Sequence, residues 1–145
     1  MAIWFECKIR YERITDSGPA KKVTEPYLVD ALTFTEAEAR IIEQMSPMIS
    51  GDFSISAVRK TKISEIFFNE SGDRWYLVKY NIISLDEKSG KEKKLSELIL
   101  VQASDFESAL NNFKEGMKGT LADFEIASIN ETMLMDVFPL VLGEK

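Results

Sequence analysis

The chain contains no histidine in its 145 residues. Ser-His-Asp triads, Cys-His nucleophiles and histidine general bases are therefore excluded, and so are histidine metal sites. Cys7 is the single cysteine. It can make no internal disulfide and no thiolate zinc site. The glycines are Gly18, Gly51, Gly72, Gly90, Gly116, Gly119 and Gly143. None falls in a GxGxxG or GxxxxGK[ST] pattern, so the phosphate-cradling loops are absent too. Carboxylates, lysines and tyrosines are what remain for chemistry.

Two constellations of those residue types recur along the chain. Glu25 falls in an apolar alternation with Val23, Tyr27 and Val29, and Glu97 falls in one with Leu95, Ile99 and Val101. A pair of half-buried carboxylates suits cation binding or acid–base work. The plainer reading is two rim carboxylates, each paired with its own Lys or Arg. The second constellation sets Trp4, Lys8 and Arg10 on one strand face with Glu6, and Trp75 and Lys79 on another with Leu77 and Asn81. Lys21, Lys22, Lys93 and Lys94 open the following strands, and Arg59, Lys60 and Lys62 lie further on. Aromatic rings interleaved with lysines on a sheet are a common platform for single-stranded nucleic acid. The plainer reading packs the tryptophans between the two halves of the molecule and leaves the lysines solvated. The binding candidates are thus Trp4, Lys8, Trp75, Lys79, Glu25 and Glu97. Asp52 and Asp123 also recur, each just before a strand, where Asp is an ordinary turn residue. No catalytic or metal-ligating residue is assigned, and no cofactor is expected.

The elements that must position these residues come in two copies. Trp4-x3-Lys8 recurs as Trp75-x3-Lys79, and Lys21-Lys22-Val23-Thr24-Glu25 as Lys93-Lys94-Leu95-Ser96-Glu97. Phe34-x2-Ala37 matches Phe106-x2-Ala109, and Asp52-Phe53-x-Ile55 matches Asp123-Phe124-x-Ile126. Thr61 and Phe67 match Thr132 and Phe138. Ordered matches of this kind, with the length changes confined to turns, indicate an internal duplication. Cys7 corresponds to Val78, so it is expected to be a packing residue. Each copy reads as ββαβ. Phe5, Cys7, Ile9 and Tyr11 alternate with charged residues as in a half-buried strand. A turn over residues 16–19 leads to a second strand and a hairpin. Thr33 with Glu36, and Asp105 in the second copy, cap amphipathic helices. Pro47 and Gly119 stop them. A third extended run follows, to about Phe67 and Phe138, and is expected to bend or break midway. The fold class is α+β. Residues 1–145 are expected to form a single compact domain of two repeats, 4–67 and 75–138, sharing a core about a pseudo-two-fold axis.

The opening Trp4-Phe5-x-Cys7-Lys8-Ile9-Arg10-Tyr11 and the later Phe34-Thr35-Glu36-Ala37-Glu38-Ala39 resemble an uncharacterised bacterial domain-of-unknown-function family. The resemblance covers nearly the whole chain. That family carries no assigned activity, so the resemblance implies no catalytic residue.

The net charge is −6. It disfavours generic affinity for nucleic acid or anionic membrane. Charged residues interrupt the opening apolar stretch, so no signal peptide is expected. No apolar run is long enough for a membrane helix, and the lone cysteine makes a cytoplasmic location the default. The function read from these residues is a non-enzymatic binding or protein-interaction module. One alternative is a nucleic-acid accessory protein using the Trp/Lys face. A third reading is a carboxylate-dependent or metal-assisted enzyme built on Glu25 and Glu97.

Overall fold

The computed structural model describes residues 3–15 and 18–140. The first half runs β1 (Trp4–Thr15), β2 (Gly18–Asp30), α1 (Phe34–Met45), β3 (Phe53–Lys60) and β4 (Ile63–Phe67). The second runs β5 (Arg74–Leu85), β6 (Glu92–Ala103), α2 (Phe106–Gly116), β7 (Asp123–Glu131) and β8 (Asp136–Phe138). The fold is α+β, mostly sheet, and the element order is the same in both halves. Each third extended run is broken into two strands. The turn expected over residues 16–19 lies partly outside the described residues.

The chain divides into two compact units. One comprises residues up to Thr61 and again from Met133 onward, and the other is Lys62–Thr132. The sheet of the first has strand order β3-β1-β2-β8, and that of the second β4-β6-β5-β7. Long antiparallel hairpins, β1 with β2 and β5 with β6, form their centres. The last strand of each sequence repeat joins the sheet formed by the other repeat's hairpin as a parallel edge: β8 beside β2, and β4 beside β6. The repeat boundary in the sequence thus lies inside the second unit, at the connection between β4 and β5.

Repeated threonines mark where each third run breaks. The Thr61 amide and hydroxyl both donate to the Trp4 carbonyl, at 2.9 and 2.8 Å. The Thr132 amide and hydroxyl donate likewise to the Trp75 carbonyl, at 2.8 and 2.9 Å. Each Trp carbonyl is the terminal acceptor of its ladder, and a threonine supplies it with two donors. A net gain of about 0.5–1.5 kcal/mol per hydrogen bond makes this a firm end to the pairing. The bulges repeat as well. The register of β3 on β1 shifts between Lys8 and Ile9, skipping Ser56, and that of β7 on β5 shifts between Lys79 and Tyr80, skipping Ala127. A bulge at the same place in both edge strands bends each edge and hinders its pairing with another chain. These equivalences favour a duplication.

The helices cover one sheet face in each unit. Ala37, Ile41 and Met45 of α1 pack on Phe5, Cys7, Ile9, Tyr27 and Val29. In α2 Phe113, with Met117 just beyond it, packs on Val78, Tyr80, Ile99 and Val101. At the start of α1 the Thr33 hydroxyl accepts from the Glu36 amide. The full reciprocal box forms at α2 instead, where the Asp105 carboxylate accepts from the Ser108 amide and the Ser108 hydroxyl accepts from the Asp105 amide. A helix side chain then ties down the end of the preceding strand in both units: Arg40 donates to the Asp30 carbonyl, and Asn112 to that of Gln102. Different chemistry makes the same tether.

Gly72, ahead of β5, lies against Ala103 at the end of β6. A Cβ added there would sit 2.5 Å from the Ala103 backbone nitrogen and Cα. Since the obstacle is main chain, Gly72→Ala is expected to lower stability by about 1–3 kcal/mol in urea unfolding. An unchanged midpoint and slope would contradict this close approach.

Candidate functional site

Glu25 is the one buried charged residue among the described residues, at 8% exposure. It lies on the helix-facing side of β2 with Val23, Tyr27 and Val29, as the alternation implies. A carboxylate placed there needs donors, because burial without them costs several kcal/mol. The hairpin register supplies them. Ile9 is the rung partner of Glu25, which makes Tyr11 and Arg13 the next residues of β1 on the same face. The Tyr11 hydroxyl donates to Glu25 Oε1 at 2.9 Å, and Arg13 Nη2 donates to Oε2 at 2.5 Å. The Tyr27 hydroxyl approaches Oε1 at 3.4 Å. Tyr27 itself is stacked on Phe138 of β8, with ring centroids 5.8 Å apart. Among the described residues no buried side-chain polar atom lacks a partner. Both carboxylate oxygens are thus engaged within the cluster, and the charge of Glu25 is paired with that of Arg13.

The cluster borders an open cleft of about 590 Å³, lined by Arg10, Tyr11, Glu12, Ile14, Lys22 and residues 50–54. Its cause is local. The pairing of β3 with β1 ends at the rung Tyr11–Phe53. Two residues before that rung, Gly51 adopts φ 100°, a left-handed conformation that favours glycine. The chain turns away there while β1 runs on to Thr15 beside β2. The cleft is the step between the longer strand and the shorter one. Arg10 and Lys22 are exposed on it, and neither has an ion-pair partner among the described residues. Asp52 lies on its wall.

A family model described as a domain of unknown function (DUF4494) matches residues 3–140. The chain belongs to this family. Among curated proteins and among solved structures nothing matches it.

In this member of the family the remaining candidates are dispersed. Trp4 and Trp75 are buried, at 6% and 4% exposure, on the sheet faces opposite the helices. Phe68 meets the Trp75 ring edge-on at 5.9 Å. These rings present no stacking surface. Lys8 and Lys79 are exposed, and Arg59 pairs with Glu6. Glu97 belongs to the second unit and lies across from Tyr80 in the β5–β6 ladder. Burial, then the charges of Glu97 and Glu65, hold the Tyr80 phenol above its ordinary range. The residues at the positions of Tyr11, Arg13 and Tyr27 are here Ile82, Ser84 and Ile99. The Glu25 cluster therefore has no counterpart around Glu97. Asp123 is exposed at the start of β7. The described residues contain no group of three or more acidic or cysteine side chains placed to hold a metal ion.

Tyr11, Arg13 and Tyr27 were not singled out in the sequence, although the hairpin register carries the signal. Once Glu25 is assigned to the apolar face, β1 residues one and two places past its rung on that face must lie within side-chain reach.

Cys7 is fully buried, and burial followed by the charges of Glu6 and Glu38 pushes its thiol up to about 11. Little thiolate exists at neutral pH. The folded protein is expected to react with a chromogenic disulfide reagent only on unfolding, and prompt native labelling would contradict this.

Burial, reinforced by the Glu25 charge, raises the Tyr27 phenol from its ordinary 10 to about 12. Folded Tyr27 keeps its proton at a pH where the unfolded chain has already lost it. This term leaves stability untouched below pH 10, lowers it as pH rises toward about 12, and then levels off. Tyr27→Phe should flatten that fall in thermal melts across the same window. An identical alkaline slope in the variant would contradict the assignment.

Proposed function

We propose that this chain is a non-enzymatic binding module that engages a protein partner at the sheet-edge cleft of the first unit. The observation that carries the reading is the contrast between the two neighbouring clusters. Glu25 accepts hydrogen bonds from Tyr11, Arg13 and Tyr27. Arg10 and Lys22, on the adjoining cleft, are exposed and have no ion-pair partner among the described residues. In the first arrangement both carboxylate oxygens are already engaged, one of them by an arginine, which lowers basicity and nucleophilicity, whereas the second offers exposed cations without an ion-pair partner among the described residues. A carboxylate-dependent enzyme would need the reverse. The nucleic-acid reading loses its stacking surface with the burial of both tryptophans. A cytoplasmic location belongs to the same reading, because a lone buried thiol gains nothing from an oxidising compartment. No described helix is long and apolar enough to cross a membrane.

A photo-crosslinking amino acid at Ser54, on the cleft wall, tests this in cells of the source organism. A discrete protease-sensitive adduct is expected, lost when Arg10→Glu and Lys22→Glu are combined, and absent when the crosslinker replaces Ser64 on β4. A nuclease-sensitive adduct, or equal adducts from both positions, would contradict the reading.

A further inference from the structure

One edge strand of each sheet comes from the other sequence repeat. β8 pairs with β2 over the rungs Tyr27–Asp136, Leu28–Val137 and Val29–Phe138, and β4 pairs with β6 from Ile63–Leu98 to Phe67–Val101. Both donated strands pack side chains on both faces. Toward the helices, Phe138 stacks on Tyr27, and Phe67 meets Phe113. Gly116 leaves Phe67 its place, since a Cβ there would sit 2.4 Å from the ring. On the opposite faces Val137 and Ile66 are buried at equivalent positions. Each hairpin thus completes its sheet and its core with the last strand of the other repeat. Strand addition of this kind is a general mode of recognition between separate chains.

The connection between the repeats has a counterpart at the ends of the described chain. In the second unit residues 69–73 pass the end of β6, where Gln102 brackets them: its Oε1 accepts from the Asn69 amide, and its Nε2 donates to the Gly72 carbonyl. In the first unit Asp30 stands at the position of Gln102. Trp4 is the rung partner of Asp30, and the Ala31 amide donates to the Ile3 carbonyl at 3.1 Å. Arg40 donates to the carbonyls of both Asp30 and Pro139. Ile3 and Pro139 correspond to Arg74 and Phe68, which flank the connection in the second unit. One arginine therefore brings together two segments that a peptide connection joins in the other copy. We infer that the two repeats are each other's binding partners. Reciprocal strand donation holds them together, the connection at residues 69–73 is dispensable, and one between residues 140 and 3 can replace it with the fold unchanged. This inference is independent of the cleft and its partner.

Two forms of the full chain test it. In the first, a protease site inserted between Glu70 and Ser71 is cleaved after folding. The two halves are expected to co-elute at the intact size down to about 0.1 μM and to part only in denaturant. Phe138→Ala, which removes the ring stacked on Tyr27, should weaken their association about tenfold or more. Ile14→Ala, at an exposed position outside both donated strands, should leave it unchanged. In the second form the chain starts at Ser71 and ends at Glu70, with Lys145 joined to Met1 by a short glycine–serine linker. A cooperative thermal melt at monomer mass is expected, with the amide-exchange pattern of the parent. Halves that separate on cleavage would overturn the inference, and so would an association indifferent to Phe138→Ala. A permuted chain that is unfolded, or that runs as a dimer, would overturn it as well.

Discussion

Every backbone donor and acceptor of a sheet must be paired, blunted or exposed to water, and this constraint organises both units. Where pairing ends, the chain supplies a device. Thr61 and Thr132 close the ladders on the Trp4 and Trp75 carbonyls. Bulges at equivalent positions interrupt β3 and β7. Parallel strands β8 and β4 cover part of the opposite edges. The stretch of β1 beyond Tyr11 is paired on its β2 side, with a register shift between Arg13 and Thr15, and the cleft lies along its other side. Site and architecture have one cause, the early departure of the chain at Gly51.

Glu25 obeys the same rule for a side chain. It is buried because the hairpin alternation assigns it to the helix-facing side, and it is tolerated because Tyr11, Arg13 and Tyr27 converge on it. In the second unit Ile82, Ser84 and Ile99 replace those three residues, and Glu97 is left half-exposed. The two units therefore share a framework and differ in polar detail. The repeated glutamates are equivalent in position and unlike in chemistry.

Much of the framework was legible in the sequence because local rules fix it. Period-two alternation marked β1 and β5, the caps at Thr33 and Asp105 marked the helices, and the matched threonines marked positions now seen to end the ladders. The break after Thr61 was harder to read, since Ile63 and Phe67 continue a strand-like composition. Their pairing with the second repeat's hairpin is a tertiary event with no local signature. Trp4 and Trp75 show the limit of patterning. A tryptophan alternating with lysine reads the same whether its face is solvated or covered, and only the fold shows both rings to be buried. The cleft was not legible at all. It depends on β3 starting opposite Tyr11, four residues short of the end of β1, a difference in length set by a glycine outside both strands.

The account stands or falls on the free edge of β1, which native-state hydrogen exchange reads amide by amide. Cross-strand amides of the β1–β2 and β1–β3 ladders should exchange slowly. At least one amide among residues 12–14 should exchange at close to the rate of an unstructured peptide, with the protein otherwise fully folded. Uniform protection of all three amides, equal to that of the ladder, would show the edge to be already paired and would contradict the account.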